Sequence, residues 1–255
     1  MSKQKPGNHN RDNFGGVFTC SRYSYPPNSL SLCGPAKQSD LKWYATTGET
    51  DTGTKEILSQ FSTLYPYLSL ISYENNIKNP LSLRVVEAYW LGNTLLANVT
   101  PGPYARFLTD TLELKKKNAK KSVNMLLHKL DYDALPHHSF HVLNVYKRTG
   151  HLDVLHTIET MDACLVNWGK IIALSAGEVI VETKKLTRIN DTLTFGKTII
   201  RKLFPQGRND IITSSLKIGD IVSYHWGYVC QKLSVQQFNN LNYYTSLSLK
   251  MANLH

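Results

Sequence analysis

Histidine and cysteine are the residues of this chain with the most chemistry to offer. His137, His138 and His141 crowd into Pro136-His-His-Ser-Phe-His-Val142, and a neutral imidazole is both a common metal ligand and a proton carrier. Spacings of three and four residues can set two rings on one side of a turn. The alternation in H-H-S-F-H-V-L-N-V-Y reads instead as a strand entering a core, with His137 and His141 on one face and His138 on the other. Two readings stay open: hydrogen-bonded histidines packing a junction, or a metal site completed by Cys33 or Glu87. Cys33 lies in Leu-Cys-Gly-Pro, either as a buried thiol at a tight turn or as a nucleophile. Gly196-Lys197-Thr198 is no phosphate loop, because Asp191 stands where that motif needs its first glycine. The dinucleotide-binding glycine pattern and the G-x-S-x-G elbow are both missing.

The elements that must position these groups change character along the chain. Residues 1–15 are polar and rich in Gly and Asn, which predicts a flexible arm. The paired prolines and Cys-Gly-Pro of residues 21–35 predict an irregular stretch. Ile57, Phe61 and Leu64, then Val85, Val86, Tyr89, Trp90 and Leu96, recur at helical spacing. Helices are predicted over 81–97, opened by Pro80, and over 104–114 and 122–130. The mainly helical reading runs to about residue 135, and after Tyr146 the period becomes that of strands: C-L-V-N-W-G-K-I-I-A-L, E-V-I-V-E-T, 193–195, 198–203 and 221–228, punctuated by Gly, Asn and Asp. A last helix starts at Ser234, with Gln237 at the capping-box position. The predicted fold is α+β: a mainly helical domain over 16–160, then a small OB-like antiparallel β-barrel with a C-terminal helix over 161–255.

Composition narrows the function classes. Of the 255 residues, 42% are hydrophobic and 10% aromatic, enough for a sizeable core. Cys20, Cys33, Cys164 and Cys230 are too few and too scattered for a disulfide scaffold. No apolar run reaches spanning length and the first residues hold no apolar export segment, so a cytoplasmic protein with no membrane association is expected. The net charge is +10, much of it in Lys115, Lys116, Lys117, Lys120 and Lys121. No aromatic residue interleaves with these lysines, so a solvated helix face is expected in preference to a nucleic-acid-binding module.

Two stretches of the last third carry a resemblance. Cys164-Leu-Val-Asn-Trp-Gly-Lys-Ile171, followed by Gly219-Asp-Ile-Val-Ser-Tyr-His-Trp-Gly-Tyr-Val229 and a helix, resembles the HypC/HupF hydrogenase assembly chaperones. That family opens with C-L-x-x-P-G-K-[IV] and closes its barrel with G-D-[YW]-V-x-x-H-x-G-[FYA]-A. Here Trp168 replaces the proline, and Met161-Asp-Ala163 precede the cysteine. The resemblance implies a barrel whose Cys164 is an iron-ligating and docking group, with His225 as the motif histidine. Iron would be cargo, a transferred fragment handed to a nickel–iron hydrogenase large-subunit precursor, alongside other maturation proteins. Trp168, Trp226 and Tyr228 would form the apolar docking surface, and the protein would act by binding and not by turnover. Across nearly the whole chain, Tyr25-Pro-Pro-Asn28, Cys33-Gly-Pro35, Arg84 to Leu96 and Pro136 to Val142 resemble an uncharacterised bacterial family loosely associated with nickel–iron hydrogenase genes. The alternative function is a metalloenzyme with its site on His137, His138 or His141 between the domains.

Overall fold

Residues 9–117, 119–145, 155–175 and 177–254 are described by a computed structural model of the chain, residues 9–14, 115 and 117 by their backbone alone. The first half is helical: α1 His9–Ser29, α2 Gln38–Thr47, α3 Thr52–Ser59, α4 Leu64–Glu74, α5 Leu83–Trp90, α6 Pro101–Arg106, α7 Leu114–Lys117, α8 Lys120–His128 and the single turn α9 His138–Phe140. α10 (Ile158–Cys164) leads into the strands β1 Asn167–Ser175, β2 Glu178–Ile189, β3 Thr192–Leu203, β4 Ile221–His225 and β5 Tyr228–Lys232, and α11 (Val235–Ala252) closes the chain. The α+β class read from the periodicities is the observed one. No helix among the described residues is long and apolar enough to cross a membrane.

Several expectations are corrected by local physics. The backbone of 9–15, expected to be a flexible arm, already belongs to α1, while 1–8 lie outside the described residues. α1 also runs through Pro26 and Pro27, where an irregular segment was predicted. Those prolines sit in the last turn, where each removes one N–H from the helical ladder. The carbonyls set free, of Arg22 and Tyr23, receive other donors: Gln206 Nε2 at 2.7 Å and His225 Nδ1 at 2.7 Å. The helix expected over 81–97 stops at Trp90 and resumes as a 3-10 turn over Thr94–Asn98. Gly92 sits between them at φ +85, and a Cβ there would fall 1.9 Å from the Tyr244 ring. The strand expected from His137 onward is α9 followed by a π-helical turn over His141–Val145, because the His137 ring accepts the Ser139 N–H and caps a helical start.

The barrel is not closed. The five strands form one antiparallel sheet in the order β3-β2-β1-β4-β5, leaving β3 and β5 as edges. The sheet curls until Phe204, just past β3, makes a single parallel bridge to Tyr228 of β5. Ile171, Val179, Val181, Leu203, Val222, Tyr224 and Val229 fill the inside of that curl. The two segments predicted at 193–195 and 198–203 are one continuous strand, and 221–228 divides at a two-residue hairpin turn. Trp226 (φ +50) and Gly227 (φ +80) make that turn, the double positive φ of a type I′ connection. At the last helix the capping box holds as read: Ser234 Oγ accepts from Gln237 N, and Gln237 Oε1 accepts from Ser234 N.

The main core continues from the helices into the sheet. Val17, Cys20 and Tyr23 of α1, Trp90 of α5, Cys230 of β5 and Leu241 of α11 share one buried cluster. Its polar counterpart is Arg22, 1% exposed on α1. Nε donates to Cys230 O (2.6 Å), Nη1 to Ala45 O (2.8 Å) and Asp210 Oδ1 (2.7 Å), and Nη2 to Asp210 Oδ2 (3.1 Å) and Val229 O (2.7 Å). All five guanidinium donors are thereby satisfied. Among the lysines of the basic run, Lys116 pairs with Glu113 at 2.8 Å and is 77% exposed, as a solvated face should be.

Candidate metal centre

Cys164 is the last residue of α10, and not the first of a strand. α10 begins with a Thr157–Thr160 capping box and is fastened to the sheet by Asp162. The Asp162 carboxylate accepts from Leu186 N (2.8 Å) and from Arg201 Nη2 (2.6 Å), while its carbonyl accepts from Asn167 Nδ2 (2.7 Å). Two residues on, the thiol is delivered to the wall of a cavity of about 180 Å³. The β4–β5 turn meets the same helix end, where Trp226 N donates to Ala163 O at 2.9 Å. That bond carries His225, the last residue of β4, to Cys164.

His138 arrives from the helical half. The ligand atoms of His138, Cys164 and His225 all lie within 4.8 Å of one another. Among the described residues this is the one group of three such side chains so close together. Sulfur and imidazole therefore do meet where the two C-terminal stretches come together, and the third member belongs to the histidine run singled out by its spacing.

The tautomers follow from the partners, since a carbonyl can only accept. His225 Nδ1–H donates to the Tyr23 carbonyl at 2.7 Å, so Nε2 carries the lone pair. That nitrogen is buried and has no hydrogen-bond partner. An imidazole held by Nδ1–H on a backbone carbonyl, with Nε2 bare, is the usual orientation of a metal-ligating histidine. His138 Nε2–H donates to the Cys164 carbonyl at 2.8 Å, leaving Nδ1 to face the Tyr89 hydroxyl at 3.2 Å. Trp90 supports both rings, its centroid 4.5 Å from His138 and 5.6 Å from His225, and is itself stacked on Tyr23 at 5.2 Å.

Burial sets the protonation states. It holds His138 well below the ordinary histidine value and lowers His225 to about 4, so both rings are neutral at pH 7. Burial, with the neighbouring Cys33, pushes the Cys164 thiol up to about 12, and the Trp226 indole offsets part of that rise. Cys33 is raised to about 11, again chiefly by burial. The site is electrically neutral as it stands. A divalent ion bound there would displace the thiol proton and gain a thiolate and two imidazoles. One sulfur and two nitrogens suit zinc, cobalt(II) or iron(II), and three protein ligands leave room for another group on the cavity side.

The other candidate residues fall in different places. Cys33 and His141 line the same cavity, His141 with Nδ1 3.0 Å from the Tyr67 hydroxyl. His137 is separate, its ring stacked on Tyr244 at 5.6 Å. Glu87 accepts from Gln237 Nε2 at 2.6 Å, with its carboxyl raised by burial. Trp226 is a wall of the cavity. Trp168 sits edge-on between Phe195 (5.7 Å) and Phe238 (6.0 Å) beside a second cavity, and Tyr228 packs against Tyr25 (6.2 Å) and Phe204 (6.4 Å). Tyr89 and Trp90, which help orient the two rings, carried no signal in the sequence beyond helical periodicity, and Tyr23 lay in the stretch expected to be irregular.

Residues 12–255 match the model of the family of unknown function DUF6390, and the chain belongs to that family. This agrees with the expected whole-chain resemblance to an uncharacterised family. No curated protein and no solved structure matches the chain.

Proposed function

We propose that this family member is a metal-carrying assembly factor that holds a first-row transition metal on His138, Cys164 and His225. The observation that carries the reading is the approach of those three ligand atoms to within 4.8 Å, with the buried Nε2 of His225 unpaired. The resemblance of residues 164–245 to the HypC/HupF chaperones makes iron the cargo and a nickel–iron hydrogenase large-subunit precursor the recipient. Nothing in the site requires turnover. A neutral donor set takes up a cation by expelling one proton, and returning that proton to the thiol favours release.

The test is an anaerobic titration of the full chain with Fe(II) or Co(II), followed through thiolate-to-metal absorption. Wild type binds one ion. Cys164→Ser and His225→Gln each weaken binding by more than about 100-fold, beyond the range typical of losing an outer-shell partner. Co-purification with an apo large subunit then compares wild type with Cys164→Ala. Equal recovery would remove the thiol from docking, and silent titrations would remove the metal.

A second reading, a metalloenzyme, draws on the three-ligand set facing a cavity, an arrangement typical of catalytic zinc. A carrier surrenders its ion to an apo acceptor within minutes, whereas a resident catalytic ion stays.

A further inference from the structure

An ion bound by His138, Cys164 and His225 would be enclosed: the two histidines are 6% and 1% exposed. It must reach them along the cavity, so the residues between that cavity and solvent decide how loading proceeds. One imidazole occupies that boundary. His156 lines the cavity yet lies on a surface segment, between Leu155, which is 76% exposed, and the exposed Thr157. His156 itself is half-buried.

Its ring, like that of His225, is held through Nδ1, here by a side-chain hydroxyl in place of a backbone carbonyl. His156 Nδ1 lies 2.9 Å from Thr160 Oγ1. That hydroxyl donates its single proton to the Thr157 carbonyl at 3.0 Å and accepts the Thr157 N–H at 2.8 Å. With its proton on that carbonyl the hydroxyl accepts from His156, and in that arrangement Nδ1 carries the proton and Nε2 the lone pair. The Thr157–Thr160 pair doing this is the capping box that opens α10, and α10 ends at Cys164. One short helix thus fixes an outer imidazole at its start and the inner thiol at its end.

We propose that His156 is a loading ligand, a transient first site for a divalent transition-metal ion on its way to the buried group. The inference rests on the metal-carrying reading above and adds the route. An aqua ion exchanges one water for His156 Nε2. It then moves inward, exchanging further waters for His138, His225 and Cys164 while the thiol proton leaves to solvent. A ligand used only in transit speeds arrival and departure alike and leaves the equilibrium unchanged.

The experiment is stopped-flow mixing of the full chain with Co(II) under anaerobic conditions, read by thiolate-to-cobalt absorption, beside equilibrium titrations. His156→Ala should slow association by about tenfold, the effect on a barrier of losing one interaction of hydrogen-bond scale. Dissociation should slow by the same factor, leaving Kd unchanged. Thr160→Val, which unlocks the ring, should give a smaller slowing, and Leu155→Ala none. Should His156→Ala fold poorly by circular dichroism, His156→Gln provides the same comparison. Wild-type rates in the His156 variant would overturn the proposal. A loss of affinity matching the loss of association rate would overturn it too, making His156 a permanent ligand. Absence of cobalt absorption in the wild type would remove the carrier reading itself, and the route with it.

Discussion

At the residue scale, Arg22 ties the fold together. Its five donors reach α2, β5 and the segment after β3, with Asp210 supplying the one compensating charge at 0% side-chain exposure. Asp210→Ala leaves a guanidinium buried without its counterion and also orphans the N–H groups of Gln206 and Ile212. Urea denaturation should show a loss of about 3–5 kcal/mol; a loss under 1 kcal/mol would mean that the pair is dispensable. Nothing near Arg22 announces this role, because its partner lies 188 positions away and the intervening pattern encodes only apolar faces. Cys164 and His225 were legible because their neighbours spell out recognisable stretches. His138 was legible only as one of three, since whether a histidine run alternates as a strand or turns as a helix depends on a cap that the side chain of His137 itself provides.

At the element scale, α1 turns an apparent defect into placement. Proline inside a helix commonly costs about 3 kcal/mol relative to alanine, so Pro27→Ala would ordinarily be a stabilising change. Here the restored N–H would compete with His225 Nδ1 for the Tyr23 carbonyl. We expect Pro27→Ala to gain less than about 1 kcal/mol, short of the usual helix increment, and to weaken metal binding while leaving the circular dichroism spectrum intact. Full recovery of the increment with unchanged affinity would break the link between the helix end and the imidazole. Most element types were readable from apolar period, except the proline-bearing end of α1 and the histidine turn at α9, and element limits were not. The β4–β5 hairpin hid inside one apolar run because Trp226-Gly227 lacks the Asn-Gly signature of its turn type. Conversely, the Ser234–Gln237 cap was plain, being wholly local.

At the scale of the whole molecule, the buried imidazoles make acid stability a property of the fold. Burial lowers His137 and His141 to about 3 and His225 to about 4 from an ordinary 6.5. Between those values the unfolded chain binds protons that the folded chain refuses. Stability contributed in this way is complete above pH 6.5 and declines as pH falls toward 4 for His225 and toward 3 for the other two. Each ring contributes up to about 1.4 kcal/mol per pH unit in that window. Urea midpoints measured at pH 7.5, 6 and 5 should fall steadily below 6.5, less so in His137→Phe; a flat series would contradict the buried neutral state. Fold class was available from composition and periodicity, whereas the curl that stops short of a closed barrel was not. It depends on how far β3 and β5 stand apart after four pairings, bridged only at Phe204 and Tyr228.

The three candidate ligands come from a helical turn, a helix end and a strand end at positions 138, 164 and 225. The trio exists only when the helical half and the sheet are packed together, so folding and loading would be one linked equilibrium. A bound ion would staple the helical half to the sheet, and every tenfold excess of free metal over its dissociation constant would deepen the native well by about 1.4 kcal/mol. Surrendering the ion would then return the molecule to its looser form, so a chain that has delivered its cargo would differ from one still carrying it in rigidity as well as in composition.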